Sequence, residues 1–293
     1  MFKTYSLLNV VSHPHPKGIY RSLFEIAAGQ RPVKFRSDQF TRISRITDSK
    51  DGIFRGRLAM WTEIDPNSPS VDKTSLKEMS LDEAGVELPA NIGFNSRIFY
   101  FAFREKEHAL YIELTNDEGR TITPSTAKTA FSKILAQAGE GVVEEVSVFV
   151  GTRADAIDYV LSLKAIRKIE IDLKLPNPDD LSEEHERALA DLERMKAGRL
   201  QATLSRAKGE DTLVLLPFWR AAAELARNNG SVKTIGKNEY GEPEERNTKN
   251  MPAEIEEEKE GGDSSFAAIG RVARNGPELN IIAATVDDDD VLE

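Results

Sequence analysis

Apolar residues in this chain recur at two alternating periods. Runs of period two come in pairs split by turn signals, and stretches of period 3.6 lie between them. Residues 39–47 and 53–63 read as two strands around Asp48-Ser49-Lys50-Asp51-Gly52, and residues 97–103 and 109–115 as a second hairpin. In 53–63, Arg55, Arg57, Ala59 and Trp61 share one side, while Phe54, Leu58 and Met60 share the other. Residues 5–11, 142–150 and 166–175 read as further strands. The last alternates cleanly, with Ile169, Ile171, Leu173 and Leu175 facing one way and Lys168, Glu170, Asp172 and Lys174 the other. Residues 213–216 read as a buried strand, and 231–249 as a polar hairpin turning at Asn238-Glu239-Tyr240-Gly241. The helical stretches are 17–29, with Ile19, Leu23, Ile26 and Ala27 on one face, then 124–138, 154–161, 219–227 and an acidic 252–260. Thr123 with Pro124 makes a helix start, and Gly139 a stop. Ser182 with Glu183 and Glu184 caps a long helix reaching Arg206, whose apolar stripe is Ala188, Leu189, Leu192 and Met195. Strands in pairs with helices between predict an α+β fold of antiparallel, hairpin-rich sheets with packed helices.

Three units are expected: a basic, strand-rich domain over 1–120, an α+β domain with the long helix and polar hairpin over 121–260, and an acidic flexible tail over 261–293. The formal net charge of −10 hides this division. Residues 1–60 hold 11 Lys and Arg against 4 Asp and Glu, whereas residues 241–293 hold 5 against 15. A basic face attracts phosphate locally even on an acidic chain, because distant charge is screened within ~8–10 Å. The chain contains no Cys, which removes disulfides, thiolate nucleophiles and thiolate metal sites. No stretch approaches the ~20 apolar residues of a membrane helix, and the start leads into no secretory signal, so a soluble cytoplasmic protein without membrane insertion is expected.

Few residues carry recognisable chemistry. His13 and His15 stand two apart in a Pro-locked loop with no further ligand near in sequence, so neither a metal nor a cofactor is expected there. The run Gly230 to Asn238 has one residue too many between its glycines for a phosphate loop and ends in Asn. Asp172-Leu173-Lys174 places a carboxylate and an amine on one side of a strand. With Asp155 or Asp158 as second carboxylate it fits a Mg²⁺-dependent nuclease, though any solvated strand gives the same pattern. The basic cluster points elsewhere. Arg31, Lys34, Arg36, Arg42, Arg45, Arg55 and Arg57 fall on two strands and the loop leading into them, with Phe35 and Phe40 between. Such a cluster makes a phosphate-binding sheet face, or simply a solvated one with its aromatics in the core.

Three segments resemble the RexA-like phage-exclusion and abortive-infection family: the hairpin Ile46–Leu58, the run Val148–Ile157 with Lys168–Pro176, and Ser231–Gly241 followed by Thr248 and Pro252. The resemblance implies a non-enzymatic homodimer that associates with DNA with little sequence preference in phage defence, and leaves room for a second defence-system protein as partner. It supplies no active-site motif. The phosphate contacts expected are Arg36, Arg42, Arg45, Arg55 and Arg57, with Lys168 and Lys174 as a second group. The alternatives are a nuclease using Asp158, Asp172 and Lys174, and an interaction module whose acidic tail mimics DNA.

Overall fold

A computed structural model describes residues 2–48, 51–89, 91–177, 185, 189–190, 192, 194–258 and 262–277. The elements run β1 (Phe2–His13), α1 (Ile19–Gly29), β2 (Val33–Arg36), β3 (Gln39–Ile43), β4 (Thr47–Asp48), β5 (Ile53–Thr62), β6 (Ser70–Val71), β7 (Glu78–Met79), β8 (Phe94–Arg104) and β9 (Ala109–Glu113). They continue with α2 (Pro124–Gly139), β10 (Glu145–Val150), α3 (Ala156–Leu161), β11 (Ala165–Lys174), β12 (Arg199–Ser205), α4 (Pro217–Asn229), β13 (Gly230–Lys237), β14 (Pro243–Asn247), β15 (Glu254–Glu258) and α5 (Ser265–Asn275). The fold is α+β, and its ladders are antiparallel.

Among the described residues, the larger sheet runs β10-β1-β9-β8-β5-β3-β2, with β15 beside the first half of β1 and β4 beside β5. Its alternation serves two cores. Leu8, Phe54, Leu58, Phe101, Phe103 and Ile112 face α1 and α2, where Phe24 and Phe131 complete a ring cluster with centroids 4.9–6.4 Å apart. Tyr5, Leu7, Ile53, Ala102 and Tyr111 face the other way, against Ile269, Val272 and Ala273 of α5. The helix starts agree with their chemistry: Thr123 Oγ1 accepts from Thr126 N at α2, and Ser264 Oγ accepts from Ala267 N at α5.

The smaller sheet, β12-β11-β13-β14, packs Ile169, Ile171, Leu173 and Val232 against α3 and α4. This second body enters after β10 and returns before β15, both neighbours of β1, and a Thr152–Pro252 bridge closes its neck. Buried amides join the two bodies. Asn9 Nδ2 donates to Asn228 O (3.1 Å) and Asn229 Oδ1 (2.9 Å), and Asn177 Nδ2 donates to Val10 O (3.2 Å).

Several expectations are corrected. The division at residue 120 does not hold, because α2, β10, β15 and α5 all complete the first sheet and its cores. The expected tail from 261 contains α5, whose Ala268, Ile269, Val272 and Ala273 are buried; Asp287–Asp290 lie outside the described residues. The long helix does not reach Arg206. Met195 is exposed, Lys196 turns at positive φ, and 199–205 form β12. Ser182, its expected cap, and Ala188 lie outside the described residues. Residues 254–258 are strand, not helix, because Ile255 packs into the α5-side core and β1 offers an unpaired edge. Residues 213–216 form no strand, and Val214 and Leu216 are exposed. Ile26 points outward from α1, whose buried face is instead Ile19, Tyr20, Leu23, Phe24, Ala27 and Ala28.

Candidate nucleic-acid interface

Cross-strand partners in a ladder point to the same side of the sheet. Arg57 lies opposite Tyr100 of β8, Ala59 lies opposite both Arg42 of β3 and Ile98 of β8, and Trp61 lies opposite Phe40 of β3. The side that carries Arg55 and Arg57 is therefore the α5 side, continued outward past the end of that helix. The ladder holds Arg57 against Ser44, which accepts from Arg57 N through Oγ (3.0 Å) and donates its own N–H to Arg57 O (2.9 Å). Arg45 follows directly. Arg45 and Arg57, with Ser44, Thr47, Tyr100 and Phe266, line a shallow open concavity of about 480 Å³.

The expected phosphate contacts divide into free and engaged groups. Arg36, Arg45 and Arg57 are exposed, and their guanidinium groups make no hydrogen bond or ion pair with another described residue. Arg42 is exposed but donates from Nη2 to Ala28 O (3.1 Å), a carbonyl at the C-terminal end of α1 where a cation is favoured. Arg55 is committed to the fold. Its Nη1 donates to Phe266 O (3.0 Å), and its guanidinium lies 4.3 Å from the Phe266 ring centroid. Gly270 makes the room, since a Cβ there would stand 2.8 Å from Arg55 Nη1. Arg55 thus clamps α5 to β5.

Lys168 and Lys174 belong to the other sheet and do not join this face. Lys168 pairs with Glu170 at 2.5 Å, and Lys174 pairs with Glu145 and donates to Ser147 Oγ (2.9 Å) of β10. Strand β10 stands four strands from β5, or ~19 Å at ~4.8 Å per strand.

The nuclease residues do not converge either. Asp172 accepts two bonds of 2.8 Å from Arg199, which hold its carboxyl below the usual range against the effect of burial. Asp158 pairs with Arg220 (2.9 Å) on the α3–α4 side of the sheet, the face opposite Asp172. Asp155 pairs with Arg153 (3.0 Å). Among the described residues, no three His, Asp or Glu side chains are grouped to hold a metal.

Sequence reasoning placed Trp61 beside Arg57 but assigned it no part in the face. It missed Tyr100, whose signal was its alternate position in 97–103. Phe266 gave no signal, because it sits in a stretch that reads as tail. Phe35 is buried, whereas Phe40 is half-buried on the candidate face.

Among the described residues no helix is long and apolar enough to cross a membrane. A family model described as a domain of unknown function, DUF4747, matches residues 3–274, and the chain belongs to that family. No curated protein matches the chain.

Proposed function

We propose that this DUF4747 chain binds nucleic acid with little sequence preference through the Arg45–Arg57 face, as the DNA-associated component of phage defence implied by its resemblance to RexA-like proteins. The observation that carries the reading is the pair Arg45 and Arg57. Two unpartnered guanidiniums stand on neighbouring segments around one open concavity, floored by aromatic side chains. The arrangement favours phosphate over base edges. The concavity is shallow, and an open sheet face does not enter a groove as a recognition helix does. Affinity then comes mostly from released counterions and falls steeply with salt.

A mobility-shift titration across salt, with and without Mg²⁺, tests the reading. Arg45→Ala with Arg57→Ala should weaken binding about tenfold or more and lower the salt slope by ~2. Binding untouched by the double change would show the face to be wrong. Mg²⁺-dependent cleavage lost in Asp172→Ala would transfer the function to the nuclease alternative.

A further inference from the structure

The sheet face does not stop at Arg57. Beyond the reach of Phe266 it runs on for four residues of β5, or ~13 Å at ~3.3 Å per residue. This stretch carries Phe40, Trp61 and Ile98, with Arg42, Arg57 and Lys34 interleaved. Ile98 is 40% exposed, and Phe40 and Trp61 are each half-buried. The core on the other face is complete without them, since Leu58 and Met60 are fully buried there. Large apolar side chains grouped on an open face mark a binding surface rather than a folding need.

The two rings are held in place. The Gly93 backbone lies against the Trp61 ring, so that a Cβ at 93 would fall 2.0 Å from Trp61 Cδ1, and Trp61 Nε1 donates to Glu63 Oε1 (3.2 Å). Phe40 pairs with Trp61 across β3 and β5 and with Lys34 across β2 and β3, and Lys34 Nζ stands 6.0 Å from its ring centroid. Cations alternate with flat apolar side chains over the patch. Its occupant must therefore bring negative charge and flat apolar faces together. A duplex presents phosphates but keeps its base faces stacked inside. A single strand presents both, and its bases stack on aromatic side chains whatever their identity.

We infer that this face is a stacking platform for single-stranded nucleic acid, with Phe40 and Trp61 taking bases and Lys34 and Arg57 taking the backbone. The inference rests on the proposed reading that this face binds nucleic acid.

Fluorescence anisotropy with the full chain tests it at ~50 mM salt, where phosphate contacts are strong. The probes are an oligo-dT strand, an oligo-rU strand and a duplex of equal length. The single strands should bind at least tenfold tighter than the duplex, and whether dT or rU is preferred separates DNA from RNA as the source. Phe40→Leu should weaken single-strand binding about tenfold and leave duplex binding in place. The chain has two Trp, so quenching by oligo-dT should vanish in Trp61→Phe and persist in Trp219→Phe. Thermal melting of each variant separates lost contacts from lost fold. Duplex binding equal to or tighter than single strands, or an unchanged Phe40→Leu, overturns the inference. If Arg45→Ala with Arg57→Ala still weakens binding in that case, the nucleic-acid reading survives it. No binding of any probe sinks both. Displacement of oligo-dT by polyglutamate at equal charge would assign the face to an acidic protein instead.

Discussion

Lys3 has only 3% of its side chain exposed, yet it carries a charge. Its Nζ donates to Glu113 Oε2 at 2.9 Å and to Ser265 Oγ at 2.6 Å, and pairs with Asp117 at 2.7 Å. A serine beside a lysine invites comparison with a nucleophile and its base. The surroundings rule against it. Burial alone would lower the Lys3 ammonium, but hydrogen bonds to Asp117 and Glu113 outweigh burial and hold it above the usual lysine range. A lysine so held keeps its proton at neutral pH. Ser265 is itself buried and donates to Asp117. The group ties β1 and β9 to the first turn of α5. Lys3→Met should therefore cost ~3–5 kcal/mol in urea unfolding at pH 7, because it strands the Glu113 carboxylate. Adding Glu113→Leu should recover most of that loss. The sign with pH follows from the raised Lys3 value. Its contribution is complete below 10.5 and is lost as pH climbs through the higher folded value. Glu113 runs in the opposite sense. Burial pushes it above 4.5 despite hydrogen bonds from Tyr100 N and Lys3, so its share of stability declines as pH rises from 4.5 through its folded value. Side-chain alternation along β5 was legible at this scale, and it put Arg55 and Arg57 on one side correctly. That Phe266, 211 residues away, takes Arg55 out of the free set was not legible.

Among the elements, β5 joins fold and site most tightly. Gly56 points to the core between Arg55 and Arg57, and a Cβ there would stand 2.6 Å from Phe101 Cζ. Phe101 cannot yield, because it is fully buried with its ring centroid 5.2 Å from that of Phe131. Gly56→Ala should cost ~1–3 kcal/mol by overpacking, read as a lower Tm. The same change should weaken nucleic-acid binding by displacing Arg57. Elements with one strong period were legible: α1, α2, β5, β8 and β11. Those that failed carried two periods at once or the wrong propensity. Leu200 and Leu204 stand four apart, as on a helix face, yet Leu200, Ala202 and Leu204 also alternate as in a strand. The edge of β11 decides for the strand. Residues 254–258 favour helix by composition, but pairing with Phe2–Ser6 and the burial of Ile255 outweigh that preference. Ser264 and Ser265 read as a flexible break; Ser264 is the cap of α5.

On the scale of the whole molecule, the acidic strand β15 lies apart from the basic face. Glu254, Glu256, Glu257 and Glu258 sit on β15, beside β1 and four strands from β5, a separation of ~19 Å that exceeds the Debye length of ~8–10 Å. They leave the Arg45–Arg57 concavity almost unaffected at physiological salt. Their charge instead guards an exposed edge against pairing with another chain. The remaining acidic block is different in kind. Residues 278–293 hold six carboxylates and no basic side chain, so removing them takes the formal net charge from −10 to −4. If that block competes with nucleic acid for the basic face, a chain ending at Pro277 should bind several-fold tighter at ~50 mM salt, with the gain fading as salt rises. Unchanged or weaker binding would remove any regulatory part for the block. The cut must fall after α5. Ending the chain at Glu260 exposes Tyr111 and Ala102 and strips Lys3 of Ser265. It also discards Ile269 and Val272, each worth ~1.5–3 kcal/mol when fully buried. Those losses approach the ~5–15 kcal/mol that holds a domain together, so the shorter chain should unfold and bind nothing specifically. Comparing the two truncations by far-UV circular dichroism and by anisotropy therefore distinguishes a competitor of nucleic acid from a structural helix within the same acidic stretch.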